Sequence, residues 1–144
     1  RTFKQSFLFN TFQLPPTNKT VIVKGDSAAS NHYWALHDST LLNDLTDDTN
    51  GTSVTLPDKS TITSIKTGKL PIPGLSSSAK ETKVFSDLNH SLISLGQLCD
   101  DNCDIFLTKK KLYAYKTNKQ ILNGTHSTSG DGLWDIPITP SALK

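Results

Sequence analysis

The residues best placed to do chemistry lie in the short segment Asp26-Ser27-Ala28. The apolar run Val21-Ile22-Val23 precedes this segment, and the small residues Ala29-Ser30 follow it. A short strand that delivers a carboxylate and a hydroxyl into a tight turn of small residues can support acid–base catalysis. The plainer interpretation is an ordinary turn Asp after a strand, and the tripeptide taken alone favours that interpretation.

Gly25-Asp26-Ser27 is compatible with more than one serine chemistry. In enzymes of the trypsin type the catalytic His precedes the serine, whereas the first His here is His32, so this chemistry is excluded. An esterase of the Gly-Asp-Ser type would use Ser27, with Asp87 and His90 completing the site and Asn43-Asp44 donating to the oxyanion. Those enzymes are α/β proteins with several long helices, and no βαβ rhythm is present here, so the esterase is a remote alternative.

The third chemistry is that of an aspartic protease. Two carboxylates held close together cannot both ionise, so they share one proton. The ionised carboxylate takes a proton from a water molecule, and the protonated one donates to the scissile carbonyl. The loop supplies one carboxylate, Asp26, so the active unit would be a dimer. The Ser27 hydroxyl would bond to backbone and hold the loop, while Ala28 and Ala29 would bring backbone amides near the carboxylates.

Size and charge limit the remaining classes. The 144 residues predict one domain, and a net charge of +2 gives no sign of a nucleic-acid footprint. The basic run Lys109-Lys110-Lys111 is more typical of a solvated strand edge than of a phosphate site. No apolar stretch reaches membrane-spanning length. Residues 1–10 do not resemble a signal peptide, and the chain reads as a segment of something longer.

The two cysteines, Cys99 and Cys103, are expected to be reduced thiols near a turn, with a local disulfide left open. Zinc would need four ligands, and no His stands at ligand spacing beside them. The sequence therefore implies no metal and no organic cofactor.

Short runs rich in Val, Ile, Thr and Tyr, separated by turn residues, predict a mostly β chain. Turns are predicted at Pro57–Ser60 and Thr117–Lys119, and loops at residues 75–80 and 125–132. The predicted strands are 7–13, 20–24, 53–56, 61–64, 68–72, 83–85, 103–108, 111–116, 120–122 and 133–136.

One segment follows a helical period instead. Leu92, Leu95 and Leu98 recur at helical spacing, Ser91 can cap the start, and Asp100-Asp101-Asn102 ends the helix. Many short strands with a single short helix predict an all-β barrel or sandwich.

Four segments, taken in order, resemble the protease domain of Copia-type (Ty1/Copia) LTR-retrotransposon polyproteins, a branch of the retropepsins, over about residues 21–138. They are the strand and loop 21–30 (VIVKGDSAAS), the hairpin 54–62 (VTLPDKSTI), the apolar segment 90–98 (HSLISLGQL) and Gly132-Leu133-Trp134. The third of these is the most specific and the Asp-Ser-Ala tripeptide the least.

The resemblance implies an all-β, retropepsin-like closed β-barrel with one short helix, acting as a homodimer with one catalytic Asp26 per subunit. A flap over the substrate would be formed by Pro57, Asp58, Lys59 and Ser60. The apolar segment after the flap would be a strand followed by a helix. In that segment, Leu92 and Ile93 would line the pockets for substrate side chains. The domain would span residues 16–138, between an extension or dimer strand at 1–15 and a tail at 139–144.

The implied activity is cleavage of a Gag-Pol polyprotein within a cytoplasmic virus-like particle. The partners would be a second copy of the chain and its own polyprotein, with no nucleic acid and no membrane. Two positions depart from the family: Ala28 replaces a usual Gly, which strains the loop only if φ is positive, and Lys59 replaces a common flap-tip Gly. The alternative is therefore an inactive or domesticated retropepsin-like dimerisation module.

Overall fold

The computed structural model describes residues 20–139. The strand predicted at residues 7–13, the extension at 1–15 and residues 140–144 of the tail lie outside the described residues.

The described chain is mostly β and carries three short helices. The first is a 3-10 helix at Leu36–Leu41, and the others are α1 (Ser77–Lys80) and α2 (Leu95–Asp100). The strands are β1 (Val21–Asp26), β2 (His32–Ala35), β3 (Asn43–Asp47), β4 (Ser53–Thr55), β5 (Thr61–Thr63), β6 (Lys66–Lys69), β7 (Glu81–Phe85), β8 (Leu92–Ser94), β9 (Asp104–Leu107), β10 (Lys111–Lys116), β11 (Lys119–His126) and β12 (Trp134–Ile138).

Ten of these strands form one sheet in the order β3-β6-β7-β2-β8-β1-β12-β11-β10-β9, and β4 and β5 form a separate hairpin. β1 lies inside the sheet, antiparallel to β12 and parallel to β8. Closure into a barrel requires the two edge strands to pair, and β3 and β9 each have one partner among residues 20–139. The mostly β prediction is confirmed, but the described sheet is open and no closed barrel is found.

Alternation along β1 explains how this strand presents its side chains. Val23 and Gly25 are buried, whereas Ile22 is exposed and Lys24 and Asp26 are partly exposed on the opposite face. A Cβ on Gly25 would lie 2.8 Å from the terminal methyl of Ile136, so a larger residue here would require that side chain to move. The last residue of β1 therefore leaves the core with its carboxylate accessible.

The prediction that a helix begins after Ser91 is wrong. Leu92–Ser94 forms β8, which pairs with β1 and β2, and α2 begins only at Leu95 with Ser94 as its cap. Ser91 is buried and its hydroxyl donates to Asp38 Oδ2 at 2.6 Å instead. The predicted stop is confirmed, because α2 ends at Asp100. A strand followed by a helix is the arrangement that the resemblance implied for residues 90–98.

Two other sequence predictions need correction. The strand predicted at 68–72 lies at Lys66–Lys69, because Pro71 and Pro73 cannot donate to a sheet ladder. The predicted loop at 75–80 contains α1, whose first turn is capped by Ser76, which accepts from the Ala79 N–H at 3.2 Å. A single helix was expected, and three short ones are present in the described chain.

Both cysteines are free thiols, with Cys99 exposed and Cys103 buried, as predicted. Burial raises the pKa of the Cys103 thiol. Across residues 20–139, no helix is both long and apolar enough to pass through a lipid bilayer.

Candidate active site

The carboxylate of Asp26 lies at the end of an internal strand, where β1 runs into a turn of small residues. The Ala28 backbone N–H donates to Asp26 Oδ1 at 2.8 Å. Within residues 20–139 this is the one hydrogen bond that the carboxylate receives. The small residues therefore bring a backbone amide to Asp26, as expected, and the second carboxylate oxygen is left for water or substrate.

Ala28 does not adopt a positive φ. The turn therefore does not require glycine at this position, and the methyl group carries no left-handed backbone penalty. Ser27 and Ala28 are exposed, and Asp26 is half-buried beside them.

Ser94, on the neighbouring strand β8, holds the loop in place. It lies in register with Asp26, and its hydroxyl donates to the Ala29 carbonyl at 2.7 Å. The Ser27 hydroxyl was expected to hold the loop, but it is exposed and forms no hydrogen bond within residues 20–139. The anchor is therefore a buried hydroxyl from a distant part of the chain, and it was not among the predicted site residues.

His32 supports Ser94 from the strand that follows the loop. Its Nδ1 accepts from the Ser94 N–H at 2.9 Å, so the ring proton is on Nε2, which donates to the Ala79 carbonyl at 2.8 Å. Burial lowers the pKa of His32 to about 4, so the ring is neutral at pH 7. The available sequence signal was a His that begins the strand-like run His-Tyr-Trp-Ala soon after Asp26.

Gln97 connects this anchor to α1 and α2. Its side-chain oxygen accepts from the His32 N–H at 3.0 Å, and its side-chain nitrogen donates to carbonyls including those of Ser78 and Glu81. The Gln97 N–H in turn donates to Ser94 Oγ at 3.0 Å. The loop is therefore fixed by a connected hydrogen-bond network rather than by one contact.

Lys24 shares a strand face with Asp26 but is engaged elsewhere. Its Nζ lies 2.6 Å from Asp135 Oδ1 and 3.4 Å from Asp131 Oδ2. The hydrogen bond with Asp135 is the main cause that raises the pKa of Lys24. Asp26 consequently has no ion-pair partner among the described residues.

The hairpin predicted as a flap is present as the two-stranded sheet β4–β5. At its tip the Lys59 N–H donates to the Leu56 carbonyl at 2.8 Å, which closes a turn with Pro57 and Asp58 at its centre. The Asp58 carboxylate accepts from the Ser60 hydroxyl at 2.6 Å and from its N–H at 2.9 Å, and these bonds lower the pKa of Asp58. Lys59 has φ +72°, the left-handed region that favours glycine.

The base of the hairpin is fixed more firmly than the tip. Asp48 accepts from the Ser64 hydroxyl at 2.5 Å and from the Gly51 N–H at 3.1 Å, and the Ser64 bond is the main cause that lowers the pKa of Asp48. The Thr52 N–H donates to Ser64 Oγ at 2.8 Å. The tip residues 57–61 are exposed. Asp48 was not among the predicted site residues, because its partner Ser64 lies on the far side of the hairpin.

A cleft of about 520 Å³ brings the end of the loop and the base of the hairpin together. Ser30, Asn31, Thr52 and Gln97 are among its lining residues. Neither Asp26-Ser27-Ala28-Ala29 nor the hairpin tip lines it. None of the predicted site residues, Leu92 and Ile93 included, lines this cleft.

The two residues predicted to wall substrate pockets differ in accessibility. Ile93 is fully buried and belongs to the hydrophobic core. Leu92 is partly buried and lies in register with Lys24 and Tyr33. In the described chain, Leu92 alone of this pair is accessible to a ligand.

The geometry gives the esterase alternative no support. Asn43 and Asp44 lie on β3, and four strands separate β3 from β1 in the sheet. At about 4.8 Å per strand this is about 24 Å along the sheet, too far for a shared oxyanion site. In the described chain, no His donates to or accepts from Ser27, and no group of three or more His, Cys, Asp or Glu residues could hold a metal ion.

No protein-family model, curated protein or solved structure matches this chain. The resemblance to Copia-type proteases therefore rests on the four sequence segments alone.

Proposed function

We propose that this chain is an aspartic endopeptidase of the retropepsin type that acts as a homodimer and processes a retrotransposon Gag-Pol polyprotein in a cytoplasmic virus-like particle. The observation that carries the proposal is the presentation of Asp26. Its carboxylate stands at the end of an internal strand, receives the Ala28 amide at 2.8 Å, and lies in a loop anchored by Ser94. The Ala28 amide bond alone is one that many turn aspartates form, so the anchor from the distant Ser94 is the more specific support.

The chemistry requires a second carboxylate from another copy of the chain. One proton shared between the two Asp26 side chains leaves one member ionised and the other protonated. The ionised member takes a proton from water as the oxygen attacks the scissile carbonyl, and the protonated member donates its proton to the carbonyl oxygen. Water is the nucleophile, and no metal or organic cofactor takes part.

A two-fold axis beside the loop satisfies this requirement, since an isologous contact places identical residues opposite each other. The exposure of Ser27 and Ala28 and the partial exposure of Asp26 support the proposal, because a second copy can approach the carboxylate directly. Binding of an extended substrate strand would be completed by closure of the β4–β5 hairpin, whose exposed tip has few buried contacts to hold it open or closed.

A retropepsin-like dimerisation module that does not cut is the main rival. One observation favours it: Asp26 does not line the cleft beside the loop. The protease and the dimerisation module would both require a dimer, but only the protease would cleave a peptide bond.

The experiment is processing of a precursor in which this chain is flanked by its neighbouring segments. The proposal predicts cleavage that is lost in Asp26→Asn and retained in the matched control Asp87→Asn, which alters an exposed turn carboxylate. An intact wild-type precursor, under acidic and neutral conditions and with the dimer present, would favour the module. Hydrolysis of a simple ester that disappears in Ser27→Ala would instead favour the esterase.

A further inference from the structure

The strands β9, β10 and β11 present an aromatic surface at one edge of the large sheet. Phe106 on β9 is 54% exposed and lies in register with Tyr113 on β10. Leu112 and Ala114 are fully buried, so Tyr113 and Tyr115 alternate onto the outer face with Phe106. Three aromatic rings therefore stand on the same side of two adjacent strands, away from the core.

These rings border an open groove of about 440 Å³, which Asp104 and Asn118 complete. The Phe106 and Tyr115 rings meet edge to face, with centroids 5.8 Å apart and an interplanar angle of 77°. An edge-to-face pair covers one face of one ring and leaves the other ring faces to other contacts. Exposed apolar side chains that cluster at the edge of a sheet can mark an interaction site.

The lysines of this face lie outside the groove, whose one charged lining residue is Asp104. Lys111 shares the outer face of β10 with Tyr113, while the neighbouring turn and the tip of the next hairpin add further lysines. Lys116 pairs with Asp101 at 2.5 Å, and Asp104 is the acidic member of the groove. Four exposed lysines on the strands and turns from β9 to β11 form no ion pair within residues 20–139: Lys109, Lys110, Lys111 and Lys119.

We propose that this face binds single-stranded nucleic acid. Two or three bases stack on Phe106, Tyr113 and Tyr115, and the lysines contact the phosphates. Stacking on aromatic rings accepts any base because every base has a π-face, and lysines beside the rings neutralise the backbone. The net charge of +2 does not indicate this site, because the basic residues of this face and the acidic residues elsewhere nearly cancel in the sum. The proposal is independent of Asp26 and of cleavage.

The test is fluorescence anisotropy of short labelled oligouridylate and oligothymidylate strands with the full chain. Wild-type protein is expected to bind them at low ionic strength and to lose affinity as salt is added. Phe106→Ala and Tyr115→Ala each reduce affinity about 5-fold to 150-fold, whereas Tyr115→Phe, which keeps the ring, retains it. Lys111→Gln reduces the magnitude of the salt slope by about 0.7, whereas the control Lys69→Gln on β6 leaves it unchanged.

Three outcomes would overturn the proposal. The first is no binding at low ionic strength by a chain whose circular dichroism shows that it is folded. The second is binding that Phe106→Ala and Tyr115→Ala leave unchanged, which would reduce the interaction to nonspecific attraction by lysines. The third is binding of tetramethylammonium in the groove with no binding of oligonucleotide, which would make the rings and Asp104 a cation site.

Discussion

The Ser94 hydroxyl donates to the Ala29 carbonyl at 2.7 Å and thereby joins the end of β8 to the loop that follows Asp26. The same oxygen accepts the Gln97 N–H at 3.0 Å and so caps α2. One buried hydroxyl therefore couples the position of the loop to the start of a helix, and the conformation around Asp26 depends on packing elsewhere in the domain.

Ser94→Ala is expected to lower the free energy of unfolding by about 1–2 kcal/mol and to reduce precursor cleavage, because the substitution removes both the cap and the loop anchor. Urea denaturation and a cleavage assay measure the two effects. Thr108→Ala is the matched control, because the Thr108 hydroxyl accepts from the Lys111 N–H at 2.9 Å in a turn outside the network that fixes the loop. It should cost a similar free energy and leave cleavage unchanged. Equal losses of cleavage in the two variants would argue against an anchoring role for Ser94.

Acid should destabilise the chain through His32, because burial lowers its pKa to about 4 in the folded state, from an ordinary value of 6.5. Between pH 6.5 and 4, His32 is protonated in the unfolded chain and stays neutral in the folded chain. The free energy of unfolding is therefore highest above pH 6.5 and decreases as the pH falls toward 4. The expected loss is about 3 kcal/mol in the free energy of unfolding. Urea denaturation between pH 7 and 4, with NMR titration of the His32 ring, measures it.

Carboxylates with a lowered pKa do not account for a loss of stability between pH 6.5 and 4. Asp101 and Asp131 each have a pKa lowered to about 2, by the Lys116 hydrogen bond and the Leu133 N–H respectively. The stability that they contribute is therefore lost only below about pH 3.8. A His32 ring that titrates near 6.5 would show that the network joining His32 to Ser94 is not formed.

Ala28→Gly is expected to lower the free energy of unfolding by about 0.4–1 kcal/mol, because glycine loses more backbone entropy on folding and relieves no strain at this φ. Cleavage should stay unchanged. Thermal unfolding and the precursor assay measure the two quantities. A gain in both stability and cleavage would mean that the alanine methyl strains the loop after all.

Lys59→Gly is expected to stabilise the tip of the β4–β5 hairpin, because Lys59 has φ +72° and glycine adopts this conformation without penalty. The gain should be about 1 kcal/mol, seen as about a fivefold increase in hydrogen-exchange protection at the Leu56 amide. Lys59→Ala removes the charge but keeps the Cβ, so it should give no gain. Equal protection in both variants would assign the effect to charge.

The sequence could predict the elements whose signals are local. The strand Lys111–Lys116 was predicted with its observed bounds, because a run with two tyrosines is followed by the turn at Thr117 and Asn118, which both have positive φ. The hairpin at Pro57–Ser60 was predicted from its turn residues in the same way. Asp26 could be singled out because its strand and its small-residue turn are contiguous in the chain.

Long-range pairing decided what could not be predicted. Leu92–Ser94 has leucine spacing that suggests a helix over a short window, but pairing with β1 and β2 makes it a strand. β2 was missed because three of its four residues are buried, which removes alternation. The anchor of the loop after Asp26 depends on residues more than 60 positions apart, such as Ala29 and Ser94, which no local pattern connects.

The central claim, that one Asp26 from each of two chains forms the site, is tested most directly by mixing. Wild-type and Asp26→Asn chains are unfolded together, refolded at a fixed total concentration and assayed on a precursor whose own Asp26 is replaced by Asn. Mixed dimers carry one carboxylate and are inactive, so cleavage should fall as the square of the wild-type fraction. A linear fall would show that a single chain carries the complete site, and no cleavage by a wild-type dimer would contradict the enzyme itself.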